Sequence, residues 1–228
     1  MRILHISDTH GFHLQFPYER FEGIDLVICS GDCSNDRIPS YNMMEVENFI
    51  EWYKEVPVTN KIYVAGNHDT SIEARFIKKH DFEKAGIIYL ENDGIEIEGW
   101  KIWGSPYTPM FCDWSFMRAR DKINRIWEHI PDDVNILITH GPPKGIRDLS
   151  IDRSGKLENC GDSALRKRVE KLKNLHLHCF GHIHDVDYIP NAGISINRGS
   201  DGIYSNGACV TDAKFDRGLT SFGNIIVI

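Results

Sequence analysis

No Cys-x-x-Cys pair occurs in this sequence, although it holds six cysteines: Cys29, Cys33, Cys112, Cys160, Cys179 and Cys209. That scatter excludes a zinc ribbon and a dithiol redox motif. Residues Met1 to Asp8 turn polar too soon for a secretory signal. Reduced thiols and a cytoplasmic location are therefore expected, with Cys29 and Cys179 packed as small hydrophobes inside strands. No apolar run approaches the roughly 20 residues of a membrane helix. Pro- or Ser-rich linkers, low-complexity tracts and long-period repeats are missing too, so one domain over residues 1–228 is expected. Basic charge is also scarce. Lys and Arg total 26 against 33 Asp and Glu, a formal net charge of −7. A broad basic face that grips long nucleic acid is disfavoured. Phosphorylated small molecules stay open, because bound cations can reverse a local field.

What is present is a series of short apolar runs that end in polar turns. Ile3 to Ser7 reads as a strand closing on Asp8-Thr9-His10-Gly11, and Ile24 to Ser30 as one closing on Gly31-Asp32. Lys61 to Ala65 ends in Gly66-Asn67-His68-Asp69. Val134 to Thr139 ends in His140-Gly141, and His176 to Phe180 in Gly181-His182-Ile183-His184. Helical spacing covers Met43 to Val56, and helices are also expected over Ile72 to Lys84, Phe116 to His129 and Ser163 to Leu172. Ile87 to Trp103 reads as an antiparallel meander, with loops over Gly104 to Trp114 and Lys144 to Asn159. Further short strands are expected around Ile194 to Asn197, Tyr204 to Val210 and Asn224 to Ile228. Strands alternating with helices, followed by strand-rich stretches, predict two mixed sheets flanked by helices.

The five strand ends carry Asp8, His10, Asp32, Asn67, His140, His182 and His184. Asp-x-His and His-x-His place two side chains of an extended segment on the same side. Imidazole, carboxylate and amide donors without thiolate favour Mn, Fe, Zn or Ni over a cysteine-type zinc site. Seven donors exceed what one ion takes, whereas two ions sharing a carboxylate use them all. Such pairs serve phosphate-ester hydrolysis, because they lower the pKa of a shared water and neutralise phosphoryl oxygens.

These blocks, in order from residue 8 to residue 184, resemble the calcineurin-like metallophosphoesterases, whose pattern is DxH, GD, GNH(D/E), (G/T/S)H and GHxH. The stretches Trp103 to Pro109, Trp114-Ser115-Phe116, His140 to Pro143 with Arg147-Asp148, and Phe180 to His184 are similar to the MPPED-type single-domain phosphodiesterases. Some of that subgroup lack the first histidine of GHxH; His182 is intact here. The resemblance implies a four-layer αββα sandwich of two mixed sheets. It implies one metal on Asp8, His10, Asp32 and His184, and another on Asp32, Asn67, His140 and His182, with Asp32 bridging. His68 would contact the phosphate and protonate the leaving oxygen, with Asp69 orienting it. Two divalent transition-metal ions are implied, Mn2+ ahead of Fe, Ni or Zn.

The function expected is hydrolysis of small phosphodiesters, such as cyclic nucleotides, by a metal-bridging hydroxide. A phosphomonoesterase or nuclease, or a non-catalytic metal-binding scaffold, are the alternatives. A nucleotide-like partner is expected, without membrane or long nucleic acid. His5, His176 and His178 read as structural, and His80 and His129 as exposed. His13 lies near the first block, with reach to substrate the less favoured reading, and Arg147 is by default solvated, with a bidentate phosphate clamp as its alternative. Trp103, Tyr107, Phe111 and Trp114 are expected to pack beneath their loop rather than stack a base.

Overall fold

A computed structural model of the chain describes residues 1–152, 154–186, 188–196, 202–211 and 218–228. In chain order, β1 (Arg2–Ile6) and β2 (Leu26–Cys29) precede α1 (Pro39–Glu55) and β3 (Asn60–Tyr63). Then come α2 (Thr70–Glu73), α3 (Lys79–Lys84), β4 (Ile88–Tyr89), β5 (Asp93–Ile97) and β6 (Trp100–Ser105). The short pair β7 (Thr108–Pro109) and β8 (Met117–Arg118) leads to α4 (Asn124–Trp127) and β9 (Ile136–Thr139). A hairpin of β10 (Leu149–Ile151) and β11 (Leu157–Asn159) is followed by α5 (Ser163–Val169) and β12 (Leu177–Phe180). β13 (Gly193–Ile196), β14 (Ile203–Asn206) and β15 (Asn224–Val227) complete the described elements.

Two large mixed sheets result. The first has the order β15-β1-β2-β3-β4 and the second β13-β14-β12-β9-β6-β5. Strands β1 to β4 run parallel, and β15 pairs antiparallel to β1 with Ile3 opposite Ile226. In the second sheet β6, β9, β12 and β14 are parallel, with antiparallel β5 and β13 at the edges.

Period-two alternation divides each strand between two cores. Leu4, Ile6, Val27, Cys29 and Tyr63 face Val46, Phe49 and Tyr53 of α1 and Phe82 of α3. Their neighbours Ile3, Leu26, Ile28 and Ile62 meet Ile102, Ile136, Ile138 and Leu177 between the sheets. Leu137, Phe180 and Tyr204 look outward onto Ile123, Trp127, Leu165 and Val169. Three apolar interfaces mean four layers, the αββα sandwich expected. Each fully buried large side chain contributes roughly 1.5–3 kcal/mol to holding them together. Tyr53 also ties α1 to the sheet, its hydroxyl lying 3.0 Å from the Val27 carbonyl and 3.1 Å from that of Ile62.

Several elements differ from expectation. Ile72 to Lys84 is not one helix but α2 and α3. Arg75 sits at φ 64 between them, while Phe76 and Ile77 N–H both donate to the Ser71 carbonyl. The Asp81 carboxylate then accepts Lys78 N–H at 2.9 Å and starts α3 afresh. Phe116 to His129 begins with β8, because Met110 N–H donates to the Arg118 carbonyl and holds that segment extended. The expected meander is divided between the sheets: β4 joins β3, and only β5 and β6 form the antiparallel pair. Residues 144–159 contain the β10–β11 hairpin rather than loop alone. β13 ends at Ile196, and Asn197 lies outside the described residues.

Candidate metal centre

The seven candidate ligands follow the carboxyl ends of five parallel strands, β1, β2, β3, β9 and β12. That edge is where open α/β sheets bind ligands. The turns are tight. Asp8, His10, Asp32 and His182 have φ of 51°, 44°, 55° and 67°. Left-handed backbone costs a non-glycine residue on the order of 1–3 kcal/mol, and surrounding bonds must hold it. Here Asp8 N–H donates to the Gly31 carbonyl at 2.8 Å, and His10 N–H to the Asp32 carbonyl at 3.1 Å. The two turns are thereby joined. Gly66 and Gly181 permit the close approach. A Cβ on Gly66 would stand 2.2 Å from Asp32 Oδ1, and one on Gly181 2.0 Å from Asp8 Oδ2.

Two clusters form. Asp8, His10 and His184 bring ligand atoms within 4.8 Å of one another, as do Asp32, His140 and His182. Within the first, His184 Nε2 is 3.1 Å from Asp8 Oδ1. Within the second, His140 Nε2 is 3.2 Å from Asp32 Oδ2 and 3.0 Å from Asn67 Oδ1. Asn67 therefore belongs beside the second cluster. His140 Nδ1–H donates to the Ser30 carbonyl at 2.8 Å, which directs Nε2 at the carboxylate. His10 Nδ1 lies 2.7 Å from Asn35 Oδ1.

The donor set fits hard-to-borderline divalent cations: two buried carboxylates, four imidazoles and an amide, without thiolate. The electrostatics agree. Burial opposes charge on Asp8 and Asp32, yet the surrounding imidazoles hold both carboxyls well below the usual range. Burial also opposes the His140 cation, but Asp32 and Asp8 raise its pKa to about 9. Burial lowers His10 to about 4 and His182 to about 3, and His140 contributes at His182. His10 and His182 are thus neutral beside ionised carboxylates, the ligand forms a cation needs, whereas His140 must give up the proton its carboxylate neighbours favour before it can ligate.

Asp69, expected to orient His68, has its carboxylate engaged elsewhere. It accepts from the Tyr63 hydroxyl at 2.6 Å, the Ser34 hydroxyl at 2.7 Å, and the N–H groups of Gly66, Asp32 and Cys33 at 2.6, 3.0 and 3.1 Å. Asp69 thus fastens the turn after β2 to the turn after β3. Burial and the nearby Asp32 charge raise its pKa. His68 is half-buried, and its N–H donates to Asp32 Oδ1 at 2.7 Å. Its carbonyl accepts from Asn42 Nδ2 at 2.9 Å. The ring stands edge-on to His10 at 4.9 Å and against Trp114 at 4.1 Å.

A cleft of about 780 Å³ opens above Asp32, Asn67, His68, His182 and His184. Several expected roles change here. Trp114 does not simply underlie its loop; it covers His68, with the Arg37 guanidinium 4.0 Å from its ring. Phe111 is 56% exposed at the cleft, its ring 5.5 Å from that of His182. Trp103 is buried as expected. Arg147 neither clamps the cleft nor floats in solvent: it donates to the carbonyls of Asn191, Ala192 and Ile194. His13 is buried against Phe49 and Trp52, with Nε2 2.9 Å from Asn48 Oδ1. His5 and His178 are buried and His80 and His129 exposed, whereas His176 is exposed beside Trp100 rather than in the core. Sequence reasoning missed Asn35, Asn42 and the placement of Trp114 on His68, for none of the three lies inside a ligand block.

The family model for calcineurin-like phosphoesterases matches residues 1–186. The human and mouse proteins named metallophosphoesterase domain-containing protein 1 are each 32% identical over 209 residues, covering 81% of this chain and 60% of theirs. A probable rhamnogalacturonate lyase C of Emericella nidulans is 33% identical over 195 residues, 81% of this chain and 17% of that protein. A crystal structure of a hypothetical protein from Thermus thermophilus superposes with a TM-score of 0.48 at 16% identity, over 93% of this chain and 78% of that one. The chain therefore spans about 60% of the length of its metallophosphoesterase-named relatives.

Proposed function

This chain belongs to the calcineurin-like phosphoesterase family, and on that premise we propose that it is a single-domain, metal-dependent phosphodiesterase acting on small, nucleotide-like diesters, cyclic nucleotides among them. Asp8, His10, Asp32 and His184 would hold one cation, and Asp32, Asn67, His140 and His182 the other, with Asp32 shared. When bound, two divalent transition-metal ions, Mn2+ first, lower the pKa of water and neutralise developing phosphoryl charge. The observation that carries the reading is the pair of buried carboxylate–imidazole clusters under one open cleft.

The remaining steps fall to side chains. Asp69 keeps the Asp32 and Gly66 turns in fixed register, so donors need not reorganise during reaction. His68, facing the cleft beside these clusters, donates a proton to the departing oxygen. Trp114 on one side and the Asn42-held backbone on the other limit its ring to one direction. A cleft of about 780 Å³ admits both arms of a diester, which favours diesterase over monoesterase action. No helix among the described residues is long and apolar enough to cross a membrane. We place the protein in the cytoplasm on its six unpaired thiols.

The test is turnover of bis-p-nitrophenyl phosphate and of cyclic nucleotides, beside p-nitrophenyl phosphate, with Mn2+, Ni2+, Fe2+ or Zn2+ added. Preference for the diesters is expected. Preference for the monoester makes the protein a phosphomonoesterase, and metal uptake without any turnover makes it a scaffold. His68→Ala should retain metal yet lose about 10²–10⁴-fold in rate on alkyl leaving groups.

A further inference from the structure

The cleft has a second wall whose chemistry the hydrolytic reading leaves unused. Besides Asp32, His68 and His182, the cleft is lined by Arg120, Lys144 and Glu158. Both cations are exposed, in a chain whose formal net charge is −7. Some nearby cations are neutralised within the protein, Arg118 by Glu73 at 3.5 Å, Arg166 by Glu170 at 2.7 Å and Arg168 by Asp132 at 2.6 Å, whereas Lys122 and Lys167, outside the cleft lining, are not neutralised among the described residues. Among the described residues Arg120 and Lys144 enter no ion pair.

Both are held in place from their backbones or stems. Arg120 Nη2 donates to the Cys160 carbonyl at 3.3 Å, which ties the guanidinium to another residue lining the cleft. Lys144 stands four residues beyond His140, and its N–H donates to the Asp162 carbonyl at 3.0 Å. The segment after a candidate metal ligand therefore carries a lysine to the same cleft. Glu158 sits on the exposed β11 strand, one carboxylate against two cations, so this wall keeps net positive charge. A cyclic mononucleotide carries one phosphate, and would leave these cations without an anion. The cleft volume of about 780 Å³ lies in the upper part of the usual ligand range.

We infer that Arg120 and Lys144 form a second anion subsite, and that the preferred substrates are phosphodiesters bearing an additional phosphate, such as a 5′-phosphorylated dinucleotide. This rests on the phosphodiesterase reading above for its reaction but not for its binding. Arg120 presents a planar fork to two phosphate oxygens, and Lys144 a point charge to a third. The scissile phosphate lies over the metal clusters while the additional phosphate is held across the cleft.

The experiment compares pApA with ApA, which differ only in the terminal phosphate, using Mn2+-loaded enzyme. Wild type should show kcat/KM at least tenfold higher for pApA, and that ratio should fall to near one in the Arg120→Ala/Lys144→Ala double variant. Lys144→Arg should keep the preference. A second arm uses calorimetric binding of adenosine 3′,5′-bisphosphate and of AMP. Wild type should bind the bisphosphate at least tenfold more tightly, and the double variant should bind the two alike. A bisphosphate preference that persists undiminished in the double variant, or is missing from wild type, overturns the subsite. If no diester is hydrolysed, the phosphodiesterase reading falls while the binding ratio still decides this one.

Discussion

The two walls of the cleft are built by opposite rules. The inner wall consists of strand-end turns whose polar atoms are buried and bonded many times over. Asp8 and Asp69 are each 0% exposed, and Asp69 alone accepts from two hydroxyls and three backbone N–H groups. The outer wall consists of the 110–116 segment and the β10–β11 hairpin. There Phe111, Leu149, Ile151 and Leu157 are exposed. A network buried in low dielectric is costly to leave half satisfied, which fixes its geometry. Exposed loops on a rigid scaffold can change without that penalty. On the function proposed above, reaction chemistry would fall to the inner wall and choice of substrate to the outer one.

The widest separation between the walls should come from Asp32→Asn. It removes charge from a carboxylate shared by both proposed metal positions. Loss of metal affinity should exceed about 100-fold, since even residues that merely hold ligands cost 10–100-fold. Elemental analysis and activity check it; retained metal and rate would erase the inner wall's assigned role. Asp69→Ala comes next. Six donors, the Cys33 thiol included, lose their acceptor inside the protein, and destabilisation should exceed about 3 kcal/mol by denaturant titration. A loss under about 1 kcal/mol, the scale of an exposed contact, would make the two walls equivalent.

Trp114→Ala tests the seam between the walls. Removing the ring packed on His68 should cost up to about tenfold in rate on poor leaving groups, the scale of an aromatic pair. Activated nitrophenyl esters should be less affected, and Trp114→Phe should restore most of the difference. The smallest expected effect lies beneath the inner wall. Burial lowers the pKa of His178 to about 3 from its ordinary 6.5, with a further push from His5. Between these values the unfolded chain binds a proton that the folded protein refuses. Its contribution to stability is whole above pH 6.5 and declines as pH falls toward 3. His178→Gln, which can still meet Thr139, should reduce the stability lost between pH 6.5 and 5 by about 1–2 kcal/mol.

The ligand-bearing turns were legible because each is a local pattern: an apolar run, a glycine, then donors. Gly66 shows why such patterns are informative, for its missing Cβ makes room for Asp32 from a different strand. The sandwich was legible from alternation, as in Ile136, Leu137 and Ile138 facing opposite cores. The 72–84 helix was misread because its apolar residues keep helical spacing across a break. The Arg75 ion pair with Glu91 and the reversal at Ser71 decide the break, and both depend on tertiary placement. The partners of the Asp69 carboxylate were not legible for a similar reason. Next to His68 in sequence, its carboxylate turns inward to Tyr63 and Ser34, partners that only the folded sheet brings near. The contact of Trp114 with His68 escaped notice because stacking across 46 positions has no signature in the intervening residues.

The seven candidate ligands are dealt across both sheets: Asp8, His10, Asp32 and Asn67 follow strands of the first, and His140, His182 and His184 those of the second. Neither half can assemble the full cage by itself. During translation the centre therefore stays incomplete until the segment around residue 184 has left the ribosome, so a nascent chain stalled earlier carries at most a partial, weaker trap for stray cations. Cation capture would thus act as a late latch across the two β-layers that meet at Ile28, Ile62, Ile136 and Ile138.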